Sequence, residues 1–131
     1  MRITHMGRMT LVLTAVVVLC ATGGAPAAYP LTVSDALGRV VTLAAPPQRI
    51  VSLAPNVTEM LFALGVDDRI VGISDADDYP HERLAGRARV GGVELNVEAI
   101  VGLHADLIVG LSELQRGQLA PLITLGLPVV V

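Results

Sequence analysis

Residues 49–65 read Arg49-Ile50-Val51-Ser52-Leu53-Ala54-Pro55-Asn56-Val57-Thr58-Glu59-Met60-Leu61-Phe62-Ala63-Leu64-Gly65, and the fold turns on this stretch. Ile50 to Leu53 is an apolar run of the length of one buried strand. Pro55 stops it. Asn56 is placed to cap a helix, with Glu59 three residues on as its reciprocal partner. Val57, Met60, Leu61 and Leu64 fall at i, i+3, i+4 and i+7, so the buried helical face is expected on them, with Phe62 also in the core. Gly65 suits a left-handed helix end.

The same grammar continues towards the C-terminus. Ile70 to Ile73 is a second strand, followed by the polar loop Ser74 to Pro80, expected to be solvated. Asn96 caps a second helix, in which Val97, Ile100 and Val101 repeat the helical spacing. Leu107 to Val109 is a third strand. Glu113 to Leu125 is helical in pattern, with Pro121 expected to kink it or to start a new short helix. Gly126 ends it, and Val129 to Val131 is a fourth strand. Strands separated by helices imply parallel pairing with right-handed crossovers. Uninterrupted apolar strands fit a parallel sheet covered on both faces. The fold class is therefore α/β, a Rossmann-like parallel sheet layered with helices.

Ligands of such sheets sit outside the carboxyl ends of the strands. Here that edge comprises Ala54 to Asn56, Ser74 to Pro80 and Gly110 to Ser112, joined by Gly91 to Leu95. Gly91-Gly92 reads as a turn. On the N-terminal side, Leu31 to Ser34 and Val40 to Leu43 flank Asp35-Ala36-Leu37-Gly38 and read as a β-hairpin. Pro46-Pro47 separates it from the first sheet strand.

Residues 1–28 are expected to be a secretory signal peptide. Arg2 and Arg8 precede the apolar run Met9 to Cys20, and Ala25-Pro26-Ala27-Ala28 supplies small residues for cleavage. The run is short for a membrane span, which needs about 20 apolar residues. Cys20 raises a lipoprotein anchor as a rival, but Leu19 stands where a small residue is preferred, and Cys20 is expected to be removed with the leader. Residues 29–131 then form one small domain without cysteine. They carry seven Arg, no Lys and twelve acids, a formal charge of −5. A nucleic-acid partner calls for a basic face and is excluded on that ground.

Catalytic grammar is sparse. There is no G-x-x-x-x-G-K-[ST], G-x-G-x-x-G or G-x-S-x-G pattern. Asp75, Asp77 and Asp78 with His81 are the one cluster that suggests an exported α/β hydrolase, and nothing opposite them completes a site. His104 suits a helix end, where an imidazolium is favoured. From position alone, Glu98 is a first-turn glutamate that suits the helix dipole. No cofactor or metal is expected. The chain ends on Val129-Val130-Val131 inside a strand, so the sequence is expected to be part of a longer protein.

Three segments, in order, resemble the cobalamin-type, helical-backbone family of periplasmic substrate-binding proteins of ABC importers. The first is residues 49–65. The second is Val71-Gly72-Ile73-Ser74 with Asp78-Tyr79-Pro80. The third is Val90-Gly91-Gly92, then Asn96-Val97-Glu98-Ala99-Ile100-Val101 and Ala105-Asp106-Leu107-Ile108. The resemblance implies two lobes joined by one long helix. Residues 29–131 would be the N-terminal lobe, with the linking helix and second lobe absent. It implies a ligand, cobalamin or an iron chelate such as a siderophore or haem, held by Pro55, Asn56, Asp78, Tyr79 and Val93. Asn56 and Tyr79 are expected to face one concavity. Glu98 matches the glutamate that docks on the membrane permease. Ala76, and Val93 with Glu94, stand where the vitamin B12-binding pattern has aromatics. The protein is expected to be a periplasmic monomer and not an enzyme.

Overall fold

The computed structural model describes residues 28–131, with residues 112–116 described by their backbone alone. The expected leader and Cys20 lie outside the described residues. No described helix is long and apolar enough to cross a membrane.

The chain opens with the expected hairpin, β1 (Leu31–Ser34) and β2 (Val40–Leu43), paired antiparallel. Asp35 fixes its turn. Its carboxylate accepts the backbone N–H of Leu37 at 3.0 Å and of Arg39 at 2.9 Å, and pairs with the Arg39 guanidinium. Burial raises the Asp35 carboxyl, but the Arg39 backbone and guanidinium outweigh it and hold the group below the usual carboxylate range.

A five-stranded sheet follows, built from β3 (Ile50–Ser52), β4 (Ile70–Ile73), β5 (Ala88–Arg89), β6 (Leu107–Val109) and β7 (Val129–Val130). The spatial order is β5-β4-β3-β6-β7, and every pair is parallel. The helices are α1 (Pro55–Ala63), α2 (Val97–Gly102) and α3 (Ser112–Thr124). Four of these strands coincide with the apolar runs of the sequence. The fifth, β5, differs from the expected four because its two residues, one of them Arg89, form no apolar run.

Each strand sends alternate side chains to opposite faces, and two cores result. Ile50, Ile70 and Ile73 pack with Val57, Leu61 and Phe62 of α1. Val51 and Ile108 pack on the other face with Ile100 of α2 and Leu119 and Leu122 of α3. Double-sided burial explains why the strands are uniformly apolar. On the second face Gly72 leaves room for α2: a Cβ there would lie 2.7 Å from Leu103 Cδ1.

Three local expectations are corrected. Asn56 does not cap α1. The chain enters that helix earlier, with Ala54 extended and Pro55 in the first turn, where proline's fixed φ is favourable and its missing N–H costs nothing. The buried face of α1 is Val57, Thr58, Leu61 and Phe62, while Met60 and Leu64 are 54% and 75% exposed. An apolar pattern could not find Thr58, whose hydroxyl is satisfied internally by Ser52 Oγ at 2.7 Å. Pro121 does not divide α3, which continues to Thr124.

Other local readings agree with the structure. The Asn96 side chain caps α2 through Ala99 N–H at 2.9 Å. Gly65 and Gly126 take the left-handed conformation after α1 and α3. His104 also lies there, with φ 49°, just beyond α2. Asp106 ties the start of β3 to the start of β6, accepting Gln48 and Arg49 backbone N–H at 2.8 Å each. The hairpin docks on the outer edge of β7, where Ala36 N–H donates to Val131 O at 2.8 Å and Arg39 to Val129 O at 3.1 Å.

Candidate functional site

The sheet order creates one reversal of direction. From β3 the chain winds outward through β4 to β5, then returns to place β6 on the other side of β3. Loops leaving neighbouring strands diverge at such a point and leave a crevice at the carboxyl edge. A pocket of about 160 Å³ lies there. Residues 53–55 after β3 form its floor, Ser74 and Ala76 after β4 one wall, Gly92 and Val93 after β5 another, and Leu111 after β6 the last. Its lining is apolar apart from Ser74.

Backbone geometry and hidden clamps hold these walls. Gly91 adopts φ 94°, and a bridge to Leu95 folds residues 91–95 into a tight turn. Gln118 of α3 grips that turn, accepting from Leu95 N–H and donating to Val93 O. Arg89 Nη1 reaches the carbonyls of Ser74 at 2.7 Å and Asp77 at 2.8 Å and pins the opposite loop. Asp75 N–H donates to Gly91 O at 2.9 Å and joins the two walls. Neither Gln118 nor Arg89 was identified from sequence, because each acts through contacts distant in the chain.

The residues expected to bind ligand divide. Pro55 and Val93 line the pocket, and Val93 is 82% exposed at its mouth. Asn56 is exposed on the first turn of α1 and lies outside the lining. Asp78 is exposed on the loop beyond Ala76. Tyr79, 66% exposed, borders a separate concavity of about 240 Å³ with Glu59, Phe62 and Arg83. Asn56 and Tyr79 therefore do not share a concavity. In the second site Arg83 lies over the Phe62 ring at 4.4 Å and bonds Asp67 at 2.8 Å, which holds the Asp67 carboxyl below its usual range. Glu98 is exposed in the first turn of α2, directly after the 91–95 turn.

The acidic loop departs from the expectation of full solvation. Asp77 is only 4% exposed, and desolvation raises its carboxyl above the usual range, opposed by the neighbouring Thr58 hydroxyl and Arg89. Asp75, Asp78 and His81 stay exposed. Among the described residues no His, Cys, Asp and Glu side chains converge as a metal site would need, and the cluster weighed for hydrolysis does not gather around one point.

A half-open crevice at the switch point of a doubly wound sheet is where ligands of α/β folds sit. No family model matches the chain. It is 40% identical over 81 residues to an uncharacterised ABC transporter substrate-binding lipoprotein of Bacillus subtilis, covering 62% of this chain and 26% of that protein. The crystal structure of a periplasmic vitamin B12-binding protein of Vibrio cholerae superposes with a TM-score of 0.59 at 37% identity, covering 64% of this chain and 33% of that one. A siderophore-binding protein, solved with ferric iron and two acinetobactin molecules, gives 0.67 at 30% identity, covering 77% and 36%. The chain is thus homologous to the substrate-binding proteins of the vitamin B12 and iron-chelate class. It spans about a quarter of the length of the curated relatives it matches and about a third of the solved chains.

Proposed function

We propose that residues 29–131 form the first lobe of an extracytoplasmic substrate-binding protein, exported by the leader at residues 1–28, which binds its ligand without transforming it and delivers it to an ABC permease. The observation that carries this reading is the apolar pocket at the switch point, built by loops from four strands. Its volume is about half the lower bound of roughly 300 Å³ for complete small-molecule sites, as one jaw of a two-jawed cleft should be. Residues 29–131 alone are therefore expected to bind weakly.

The ligand is cobalamin or an iron chelate, and local charge favours cobalamin. Asp75, Asp78 and Glu94 stand exposed on the loops around the pocket. Among the described residues, Arg89 is held by two carbonyls and Arg83 by Asp67 and Phe62. A rim of this sign repels a polyanionic chelate and tolerates the neutral amide periphery of cobalamin.

Two measurements test the reading. In titrations with cyanocobalamin and with a ferric siderophore, Val93→Asp should weaken whichever probe binds by roughly tenfold or more, because it places an unpaired charge against an apolar ligand face. Saturable binding unaffected by this change would put the ligand elsewhere. Glu98→Ala should leave binding intact and reduce uptake in cells, since Glu98 is exposed beside the pocket's turn but outside its lining. Unchanged uptake would remove the docking role.

A further inference from the structure

Two walls of the pocket come from different parts of the chain, and α3 touches both. Leu111, the wall after β6, is the residue from which α3 starts. Val93, the wall after β5, lies in the 91–95 turn, which bonds to Gln118 further along the same helix.

The turn's own hydrogen bonds leave two groups for that helix to take. Asn96 N–H donates to Val90 O at 2.9 Å and Gly92 N–H to Glu94 O at 3.1 Å, which closes the ribbon. Gly91 is held by the loop after β4: Asp75 N–H donates to its carbonyl at 2.9 Å, and the Asp75 carboxylate accepts its N–H at 3.3 Å. Val93 O and Leu95 N–H take no part in these bonds. A primary amide carries both a donor and an acceptor, and Gln118 Nε2 and Oε1 serve the two. The partners fix which way the amide faces, because a carbonyl only accepts and a peptide N–H only donates. Gln118 is itself anchored from below. Leu119, next in sequence, and Leu122, one helical turn on, are fully buried in the core under the sheet.

We propose that Gln118 is a positioning residue for the ligand: it couples the 91–95 turn to α3, so that one helix carries Val93 and Leu111 together and sets the gap between them. Val93 is 82% exposed and has little side-chain packing of its own to hold it. Its place is set through the backbone, and Gln118 is the side chain that fixes that backbone to the core. A wall fixed before binding need not be ordered by the ligand, which preserves affinity. The effect on ligand rests on the proposed function; the mechanical link rests on the hydrogen bonds alone.

The test has one arm without ligand and one with it. Gln118→Met keeps the side chain's length and removes both hydrogen-bonding groups. In the unliganded variant, Leu95 amide exchange should be about fivefold or more faster than in the parent, as expected for one lost hydrogen bond, and nitrogen relaxation should show a more mobile Val93 backbone. Exchange at Leu119 and Leu122 should be unchanged. That contrast separates positioning from support, since a residue that merely stabilised α3 would loosen the helix amides as well. Unchanged Leu95 exchange, or equal acceleration at Leu119 and Leu122, would overturn the proposal. In the second arm, cyanocobalamin titration of the whole protein should show affinity reduced roughly three- to tenfold by Gln118→Met. Unchanged affinity beside a loosened turn would overturn the positioning role. Should Gln118→Met not fold, NMR cross-peaks between the Gln118 side-chain amide protons and the Val93–Leu95 backbone of the parent decide: their presence supports the link and their absence refutes it. Should cyanocobalamin not bind the parent, the proposed ligand falls while the exchange contrast still decides the link, so the two readings fail separately.

Discussion

Ile108→Ala should lower the unfolding free energy by about 3–4 kcal/mol, within the range of roughly 2–5 kcal/mol for buried large-to-Ala changes. Ile108 lies on β6, between β3 and β7, and has no solvent exposure. It contacts the core on the face closed by α2 and α3, with Ile100, Leu119 and Leu122 in the same cluster. Collapse into the vacancy would need two helices to move against a paired central strand, so the cavity is expected to persist. A domain of this size has about 5–15 kcal/mol in total, and the loss is a large share of it. Urea denaturation provides the measurement: the midpoint should fall with the slope unchanged. Ile108→Val, at about 1 kcal/mol, serves as the graded control. A loss under about 1 kcal/mol for the alanine change would mean that this face is loosely packed.

Gly91→Ala should cost about 3 kcal/mol and act on the site as well as the fold. Two penalties coincide. The residue has φ 94°, where a side chain is strained by about 1–3 kcal/mol. A Cβ would also overlap Glu94 O and lie 2.9 Å from Asn96 N, both backbone atoms that cannot rotate aside. The turn must open, and it carries Gly92 and Val93, one wall of the pocket. If the pocket takes cyanocobalamin as proposed, titration of the whole protein should therefore show a loss larger than the fold's instability explains. Gly92→Ala is the control for stability, because its Cβ would meet only Asp75 Cβ at an ordinary 3.9 Å. Equal stability of the two alanine variants would contradict the assignment.

The sheet was legible in the sequence because double-sided burial writes itself as short uniform apolar runs, as at Ile50 to Leu53 and Ile70 to Ile73. The edge strand at Ala88–Arg89 was not, since an edge needs fewer apolar side chains. The carboxyl edge was also legible: Pro55, Ser74, Gly92 and Leu111 all come from the loops named in advance or their joining turn. What escaped was orientation within those loops. Nothing in Asp75-Ala76-Asp77-Asp78-Tyr79 says which acid turns inward, because that depends on Arg89 and Thr58, distant in the chain and adjacent in space. The helix face of α1 was misassigned for a related reason, a threonine buried among apolar side chains by its hydroxyl partners.

The hairpin has a consequence for how copies of this molecule behave towards one another. Along β7, the carbonyls of Pro128 and Val130 point inward and accept Ile108 and Gly110 N–H, at 2.9 Å each. Those of Val129 and Val131 point the other way and are taken by Arg39 and Ala36. A bare outer strand would invite a neighbouring chain to extend the sheet, the first step towards fibrous aggregation. The short ribbon stoppers that row of acceptors, so crowding need not turn one copy into a template for the next.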